Sequence, residues 1–297
     1  MKYFHQKLKL TLAIITCIFY SLSGQGTLEL SKTISSNFLN QDEKYSVYLP
    51  ENYNNNNNNG DYPILYLLHG YGGDENSWIK RAKINLILDS LIREAALPEV
   101  IVIFPNARNS YYINDYKNQY PFEDYFISEF VFFIDSAYTT SKNKLKRAIA
   151  GLSMGGFGAT ILPLKHPDLF GTSINLSGAV RTPEQFKALS PIKYHTYFAP
   201  LYGDSLKGYD RITAHWKENS PYYLVDSSNT EKLRTINWYI DCGMQDFLFP
   251  ANNSLHDLCT EQNILHEYHT QPGNHSWKYW RKGIIQALIY WGNILEK

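Results

Sequence analysis

The sequence predicts an α/β fold: a mostly parallel central sheet with helices on both faces and an insertion between two of its later strands. Three observations point there. Short unbroken apolar runs recur along the chain, helical patterns separate them, and glycine-rich turns follow two of the runs directly. A strand with no polar alternation must be covered on both faces, and crossover helices provide that cover in a parallel sheet.

The elements follow in order. Lys2, Lys7 and Lys9 precede an apolar run from Leu10 to Tyr20, and small or polar residues follow from Ser21 to Gly26. This is the layout of a secretory signal peptide over residues 1–25. The run is shorter than the ~20 residues needed to span a bilayer. Thr16 is a poor residue before a lipidated cysteine, which argues against an anchor at Cys17. The mature chain, 26–297, is expected to be one exported domain, secreted or periplasmic, without a membrane span. Lys44 to Leu49 alternates like a half-buried strand, and Asn54 to Gly60 reads as a polar loop. Tyr62 to Leu68 is the first continuous apolar run. Val100–Phe104, Arg147–Ala150, Thr172–Leu176 and Ile236–Ile240 are the next, and Leu265–Gln271 reads as the last strand. Between them, Phe126, Phe130, Phe133, Ile134 and Ala137 share one helical face. Trp277, Trp280, Ile284, Leu288, Trp291 and Leu295 recur at helical spacing and predict a terminal amphipathic helix.

The stretch from Gly178 to Thr235 is too long for a plain crossover. It carries Tyr194, Tyr197, Phe198, Tyr202, Tyr209, Trp216, Tyr222 and Tyr223. Such an insertion can cap a substrate pocket, pack as an aromatic-rich helical excursion, or both. Asp204 and Arg211 within it are expected to be solvated.

Composition excludes several classes. Of 297 residues, 44% are hydrophobic and 19% charged, which is ordinary for a globular chain and not for a disordered one. Lys+Arg and Asp+Glu both number 28, so no global charge draws the chain to nucleic acid. Three cysteines are too few for a disulfide scaffold. After loss of a signal peptide, Cys242 and Cys259 remain, as a disulfide or as two separate buried thiols.

The chemistry centres on Gly151-Leu152-Ser153-Met154-Gly155, a G-x-S-x-G motif with a buried strand before it and a helix after it. A strand that reverses into a helix within two residues forces the central residue into strained dihedrals. Glycines at two before and two after allow the backbones to approach. The serine hydroxyl then stands at a helix N-terminus, where developing negative charge is favoured. A serine needs a base. In this chain order the acid and the histidine come later, each in a loop after a strand. Asp246 follows the Ile236–Ile240 strand, with Asp241 as its rival at the strand end. Of nine histidines, His275 lies in the Pro272–His275 loop before the terminal helix. His266 and His269 point to opposite faces of the last strand, so they form no metal pair. His69-Gly70-Tyr71-Gly72-Gly73 follows the first buried strand. The backbone N–H groups of Tyr71 and Met154 are the natural oxyanion donors. His69 itself is read as a structural residue, and no phosphate-loop pattern is present. Tyr111, Tyr112 and Asn114 follow the Val100–Asn106 segment, and Tyr202 and Trp216 lie in the insertion. These five are the candidate substrate contacts. No metal and no organic cofactor is implied.

Taken together, Tyr62 to Gly73, Gly151 to Ala159, His166 to Phe170 and Asp241 to Asp246 resemble the esterase D-like family of α/β-hydrolases. The resemblance runs from about Leu28 to the C-terminus. It implies an α/β-hydrolase fold, triad positions at Ser153, Asp246 and His275, and oxyanion positions at Tyr71 and Met154. The family includes feruloyl and acetylxylan esterases, S-formylglutathione hydrolases and mycolyltransferases. Pro163 departs from it, falling inside the helix after the serine, where a local bend is expected. The loop at His69 lacks the Cys-Thr-Glu continuation of the formylglutathione branch. With the N-terminal signal, that places the likeness nearer the exported polysaccharide-side esterases. The implied function is a serine carboxylesterase acting on acetyl or feruloyl-type esters, with polysaccharide-linked esters as substrate partners. Acyl transfer to a sugar or lipid alcohol would use the same site, and a non-catalytic carbohydrate-binding scaffold is the third reading.

Overall fold

The computed structural model describes residues 25–53, 61–225 and 230–297. The expected signal segment with Cys17, and the asparagine-rich loop 54–60, lie outside the described residues apart from the last residue of the signal segment, Gln25.

One eight-stranded sheet runs through the molecule in the order β1-β2-β4-β3-β5-β6-β7-β8. The strands are β1 Thr27–Ser36, β2 Gln41–Leu49, β3 Ile64–Leu68, β4 Ile101–Pro105, β5 Arg147–Leu152, β6 Thr172–Leu176, β7 Asn237–Gly243 and β8 His266–Gln271. β1 and β2 form an antiparallel hairpin at one edge, and β4 to β8 with β3 are mutually parallel. This is the α/β-hydrolase fold expected from the sequence, a mostly parallel sheet with helices on both faces. β1 is a strand that no apolar run announced. It is an edge strand, largely exposed, so it carries little apolar signal.

The continuous apolar strands feed two cores, one per face. In β3, Ile64, Tyr66 and Leu68 point into one core and Leu65 and Leu67 into the other. Helices α1 Ile84–Arg93 and α4 Trp277–Leu295 cover the second face. Helices α2 Met154–Lys165 and α3 Phe249–Glu261 cover the first. In α4, Trp280, Ile284, Leu288 and Trp291 are buried, the stripe its spacing predicts. The Phe122–Ala137 helix differs from its prediction. A π-turn at Phe126–Phe130 shifts the buried face, so that Phe126, Phe130, Val131 and Ile134 are inside and Ala137 is exposed.

α2 does not break at Pro163 but continues to Lys165. Proline has no N–H to give the carbonyl four residues back, at Ala159. The Ser173 hydroxyl of β6 donates to that carbonyl instead, at 2.7 Å. The segment between β6 and β7 is a chain of short helices. Arg211 within it is buried rather than solvated, correcting the expectation. Its guanidinium donates to the carbonyls of Leu206, Phe186, Lys187 and Leu189, and lies 4.3 Å from the Tyr194 ring. Carbonyl acceptors replace carboxylates there, which a charge count along the sequence does not register. Cys242 and Cys259 are free buried thiols, so the disulfide alternative does not form.

Candidate active site

The reversal from β5 into α2 falls at Ser153, held at φ 54° and ψ −115°. A side chain other than glycine there costs on the order of 1–3 kcal/mol. The surroundings over-determine it. Ser153 donates its N–H to Leu176 at 3.0 Å, and its carbonyl accepts from Ala179 at 2.8 Å. Gly151 packs directly on the Gly155 backbone, since a Cβ on Gly151 would lie 2.3 Å from the Gly155 carbonyl oxygen. Gly155 is constrained from its other side, where a Cβ would lie 2.5 Å from the Leu68 carbonyl oxygen.

Asp246 stands in the loop after β7, and His275 in the loop between β8 and α4. They are 29 residues apart, and His275 is 122 from Ser153, yet the three side chains meet. His275 Nε2 lies 2.9 Å from Ser153 Oγ, and His275 Nδ1 lies 2.7 Å from Asp246 Oδ2. The Asp246 side chain is fully buried, and its second oxygen accepts the Leu248 N–H at 2.9 Å. Phe247 and Trp280 pack against the imidazole, each with ring centroids 4.7 Å away. This geometry fixes the tautomer: the carboxylate accepts a hydrogen bond from Nδ1–H, which keeps the ring proton there and leaves Nε2 free to accept from the serine hydroxyl. The arrangement can therefore remove a proton from Oγ as that oxygen attacks a carbonyl.

Asp241, the rival acid, is turned away. Its carboxylate faces α4, where a Cβ on Gly283 would lie 3.5 Å from Oδ2. Among the described residues the Tyr279 hydroxyl is its polar neighbour, too poorly placed to make a well-formed hydrogen bond with either oxygen. Burial pushes its carboxyl up to about 6, with the Tyr279 hydroxyl pulling the other way. His69 is structural. Its Nε2 accepts the Ala107 N–H at 3.0 Å and its Nδ1–H donates to the Gly70 carbonyl at 2.8 Å. Burial holds its pKa below the usual histidine value. His266 and His269 point to opposite faces of β8, toward His256 and Tyr239 respectively. Among the described residues no three His, Cys, Asp or Glu side chains are grouped to hold a metal ion.

Among the described residues the N–H groups of Met154 and Tyr71 have no hydrogen-bond acceptor. Met154 opens α2, where a first-turn N–H has no intrahelical partner. Around Tyr71 the neighbouring groups are tied down: Gly73 donates to Gly70 at 3.0 Å and Gly72 to Asn109 Oδ1 at 2.8 Å.

Comparison with known proteins decides the family. The family described as "Putative esterase" matches residues 36–291. The chain belongs to this esterase family. It is 29% identical over 241 residues to an acetyl esterase of Caldicellulosiruptor saccharolyticus, covering 78% of this chain and 84% of that one. It is 35% identical over 158 residues to an endo-1,4-beta-xylanase/feruloyl esterase of Xylanibacter ruminicola, covering half of this chain but only 21% of that longer protein. Among solved structures, a ferulic acid esterase superposes with a TM-score of 0.77 at 29% identity, over 91% of this chain and 98% of the other. A fluorophosphonate-binding serine hydrolase of Staphylococcus aureus superposes at 0.76 and 26% identity, over 90% and 99%. The protein is a carboxylic ester hydrolase.

The esterase has a cavity of about 1000 Å³ over Ser153 and His275. Gly70 to Asp74 form part of its wall, with Tyr111, Leu248, Trp277 and Trp280. The segment after β6 contributes Ala179, Arg181, Gln185, Lys193, Tyr197 and Phe198. That segment therefore both walls the site and packs a core of its own. Of the five candidate contacts, Tyr111 lines the cavity. Tyr112 does not: it is fully buried, its hydroxyl donates to the His69 carbonyl at 2.9 Å, and its ring fills the space beside Gly158. Asn114 is also elsewhere, its Oδ1 accepting the Asp124 N–H and its carbonyl facing His215. Tyr202 and Trp216 lie one layer deeper, around a small void behind Arg181, with Trp216 stacked on Phe186 at 5.0 Å. Sequence reasoning missed Arg181, Phe247 and Trp277 as cavity residues. Each sits within five residues of a strand end or beside a triad candidate, so proximity to those points was the available signal.

Proposed function

We propose that the protein is an exported serine carboxylesterase in which Ser153 is the nucleophile, His275 the general base and acid, and Asp246 the group that orients and stabilises the charged ring. The observation that carries this is the unbroken line of two hydrogen bonds, 2.9 Å and 2.7 Å, from serine through imidazole to carboxylate. Ser153 Oγ attacks the ester carbonyl while its proton passes to His275 Nε2. The oxyanion is held by the N–H groups of Tyr71 and Met154. His275 then gives the proton to the leaving alcohol, and an acyl-serine remains. Water, deprotonated by the same nitrogen, attacks the acyl-serine, and the acid leaves as Ser153 recovers its proton.

The substrates this reading favours are acetyl and feruloyl-type esters carried on polysaccharide. Its support is the acetyl esterase and feruloyl esterase relatives, together with a roomy cavity whose rim carries the exposed rings of Tyr71 and Tyr197, 4.9 Å apart. Export rests on the N-terminal basic, apolar and small-residue sequence. Among the described residues no helix is long and apolar enough to cross a membrane.

The test is Ser153→Ala measured against acetylated xylan, methyl ferulate and p-nitrophenyl acetate. Hydrolysis of all three should fall to background, and a fluorophosphonate probe should no longer label the protein. Hydrolysis at the parental rate would refute the assignment. N-terminal sequencing of the exported protein checks the leader.

A further inference from the structure

The wall of the cavity contains a guanidinium without a counter-ion. Arg181 sits in the extended link between β6 and the helix Pro183–Lys187, largely covered by the molecule. Its Nη1 donates to the Val180 carbonyl at 3.0 Å, and among the described residues no carboxylate lies within ion-pair distance of it. Beyond the Tyr111 and Tyr222 hydroxyls, Asp246 is the one carboxylate among the described residues whose field reaches it, and both Asp246 oxygens are already taken by His275 and Leu248. Among the described residues no aromatic ring stacks on the guanidinium to stand in for an anion. Arg211 provides the contrast, since four carbonyls and the Tyr194 ring satisfy it.

A covered charge without a partner is costly, and such groups are normally paired. Arg181 lines both the main cavity and the small apolar void beneath it, so its unpaired face borders the space a ligand occupies. The rest of that wall has the same sign. Lys80, Arg81 and Lys193 also line the cavity. Apart from the triad, the one acid there among the described residues is Asp74, which is held by Lys80 at 3.6 Å and by the Ser77 hydroxyl. Walls of one sign focus the field within a cleft and draw in the opposite charge. A planar guanidinium is the side chain best shaped to grip a carboxylate with two bonds.

We propose that Arg181 determines specificity by binding a free carboxylate on the substrate, so that the preferred esters carry a second, unesterified carboxylate. That carboxylate belongs either to the acid part, as in a hemiester of a dicarboxylic acid, or to the sugar part, as in an acylated uronate. This rests on Ser153 being the nucleophile of the same cavity.

The experiment compares kcat/KM within two matched pairs. The first pair is monomethyl adipate and methyl hexanoate. The second is an O-acetylated methyl glucuronoside and the corresponding methyl glucoside. In at least one pair the carboxylate-bearing ester should be favoured by about 10- to 100-fold, the range for a charge-assisted contact. Added salt should erode that preference. Arg181→Gln should bring the ratio close to unity and Arg181→Lys should keep part of it. A ratio is insensitive to the fraction of folded enzyme, so lowered yield of a variant leaves the reading intact. If neither variant folds, the ratio and its salt dependence in the unmodified enzyme decide. A ratio near unity in both pairs, with the neutral esters still hydrolysed, overturns the role of Arg181 and leaves the triad standing. No hydrolysis of any ester, with no fluorophosphonate labelling at Ser153, overturns both. A preference that survives unchanged in Arg181→Gln also overturns the assignment.

Discussion

Replacing Asp246 by Asn is the sharpest probe of the proton line, because the structure dictates which way the new amide must face. In the native site Oδ1 accepts the Leu248 N–H at 2.9 Å and Oδ2 faces His275 Nδ1 at 2.7 Å. An asparagine keeps one acceptor and gains one donor. If its oxygen stays on the Leu248 N–H, its NH₂ points at Nδ1. The imidazole must then carry its proton on Nε2, toward Ser153, where it cannot accept one. Flipping the amide would set two donors against each other at Leu248 in a fully buried spot, at a cost of about 1–3 kcal/mol. The first orientation therefore prevails and the base is disabled without loss of shape. The same exchange in the serine protease triad lowers kcat about 10⁴-fold. Applied here, that corresponds to roughly 5.5 kcal/mol of lost transition-state stabilisation. Steady-state hydrolysis of p-nitrophenyl acetate measures it, and a thermal melt within a few degrees of the parent certifies the fold. Asp246→Asn retaining more than a tenth of parental kcat would show that the ring's tautomer is not set by this carboxylate.

Three further outcomes follow from other contacts. Gly151→Ala places a Cβ 2.3 Å from the Gly155 carbonyl, so little folded, labelled protein should be recovered, as an expression and probe-labelling assay would show. Ser173→Ala strips the Ala159 carbonyl of the donor that replaces the missing Pro163 N–H, and urea unfolding should show a loss of about 1–3 kcal/mol. Asp241 has a folded-state pKa of about 6, raised from 3.8 by burial. The folded state thus prefers the neutral acid, and the benefit of that preference is complete below about pH 3.8 and lost as pH rises through 6. Asp241→Asn should accordingly be more stable than the parent at pH 8 by up to ~3 kcal/mol, with the gap closing toward pH 4. Equal urea midpoints at both pH values would contradict the burial argument.

The parts of this molecule legible in its sequence are those where one physical demand dominates. A strand buried on both faces is best served by an unbroken apolar run, and β3 and β4 show one. A strand-to-helix reversal needs glycines at fixed offsets, and Ser153 lies between them. The terminal helix needs an apolar stripe, and α4 has it. Where several demands compete, the sequence is silent. β1 is an exposed edge strand held by hairpin pairing with β2. The π-turn at Phe126–Phe130 rotates a helical face that periodicity places otherwise. Tyr112, Asn114, Tyr202 and Trp216 share residue types with pocket contacts, yet long-range packing puts them behind the wall. Arg211 and Arg181 are the same residue type in one segment with opposite fates. One is saturated by backbone carbonyls and the other is left open to the cavity, a difference that only the fold of that segment creates.

The distribution of the site across the sheet explains why such distant residues can be brought together reliably. Six parallel strands end on one edge, and each turn leaving that edge delivers part of the site. β3 leads to Tyr71, β4 to Tyr111, β5 to Ser153, β6 to Ala179 and Arg181, β7 to Asp246 and β8 to His275. Neighbouring strands are only ~4.8 Å apart, so adjacent strand ends fall within side-chain reach whatever their separation in sequence. Register in turn is fixed by burial, because a slip of one residue would turn Ile64, Tyr66 and Leu68 out of their core and Leu65 and Leu67 out of theirs. The two hydrophobic cores therefore set the distances in the proton line. A core change such as Leu67→Ala should act on kcat only as far as it shifts β3 against β5. Substitution at the cavity wall, at Arg181 or Trp277, should act on the choice of ester while the hydrogen bonds at Ser153 stay in place.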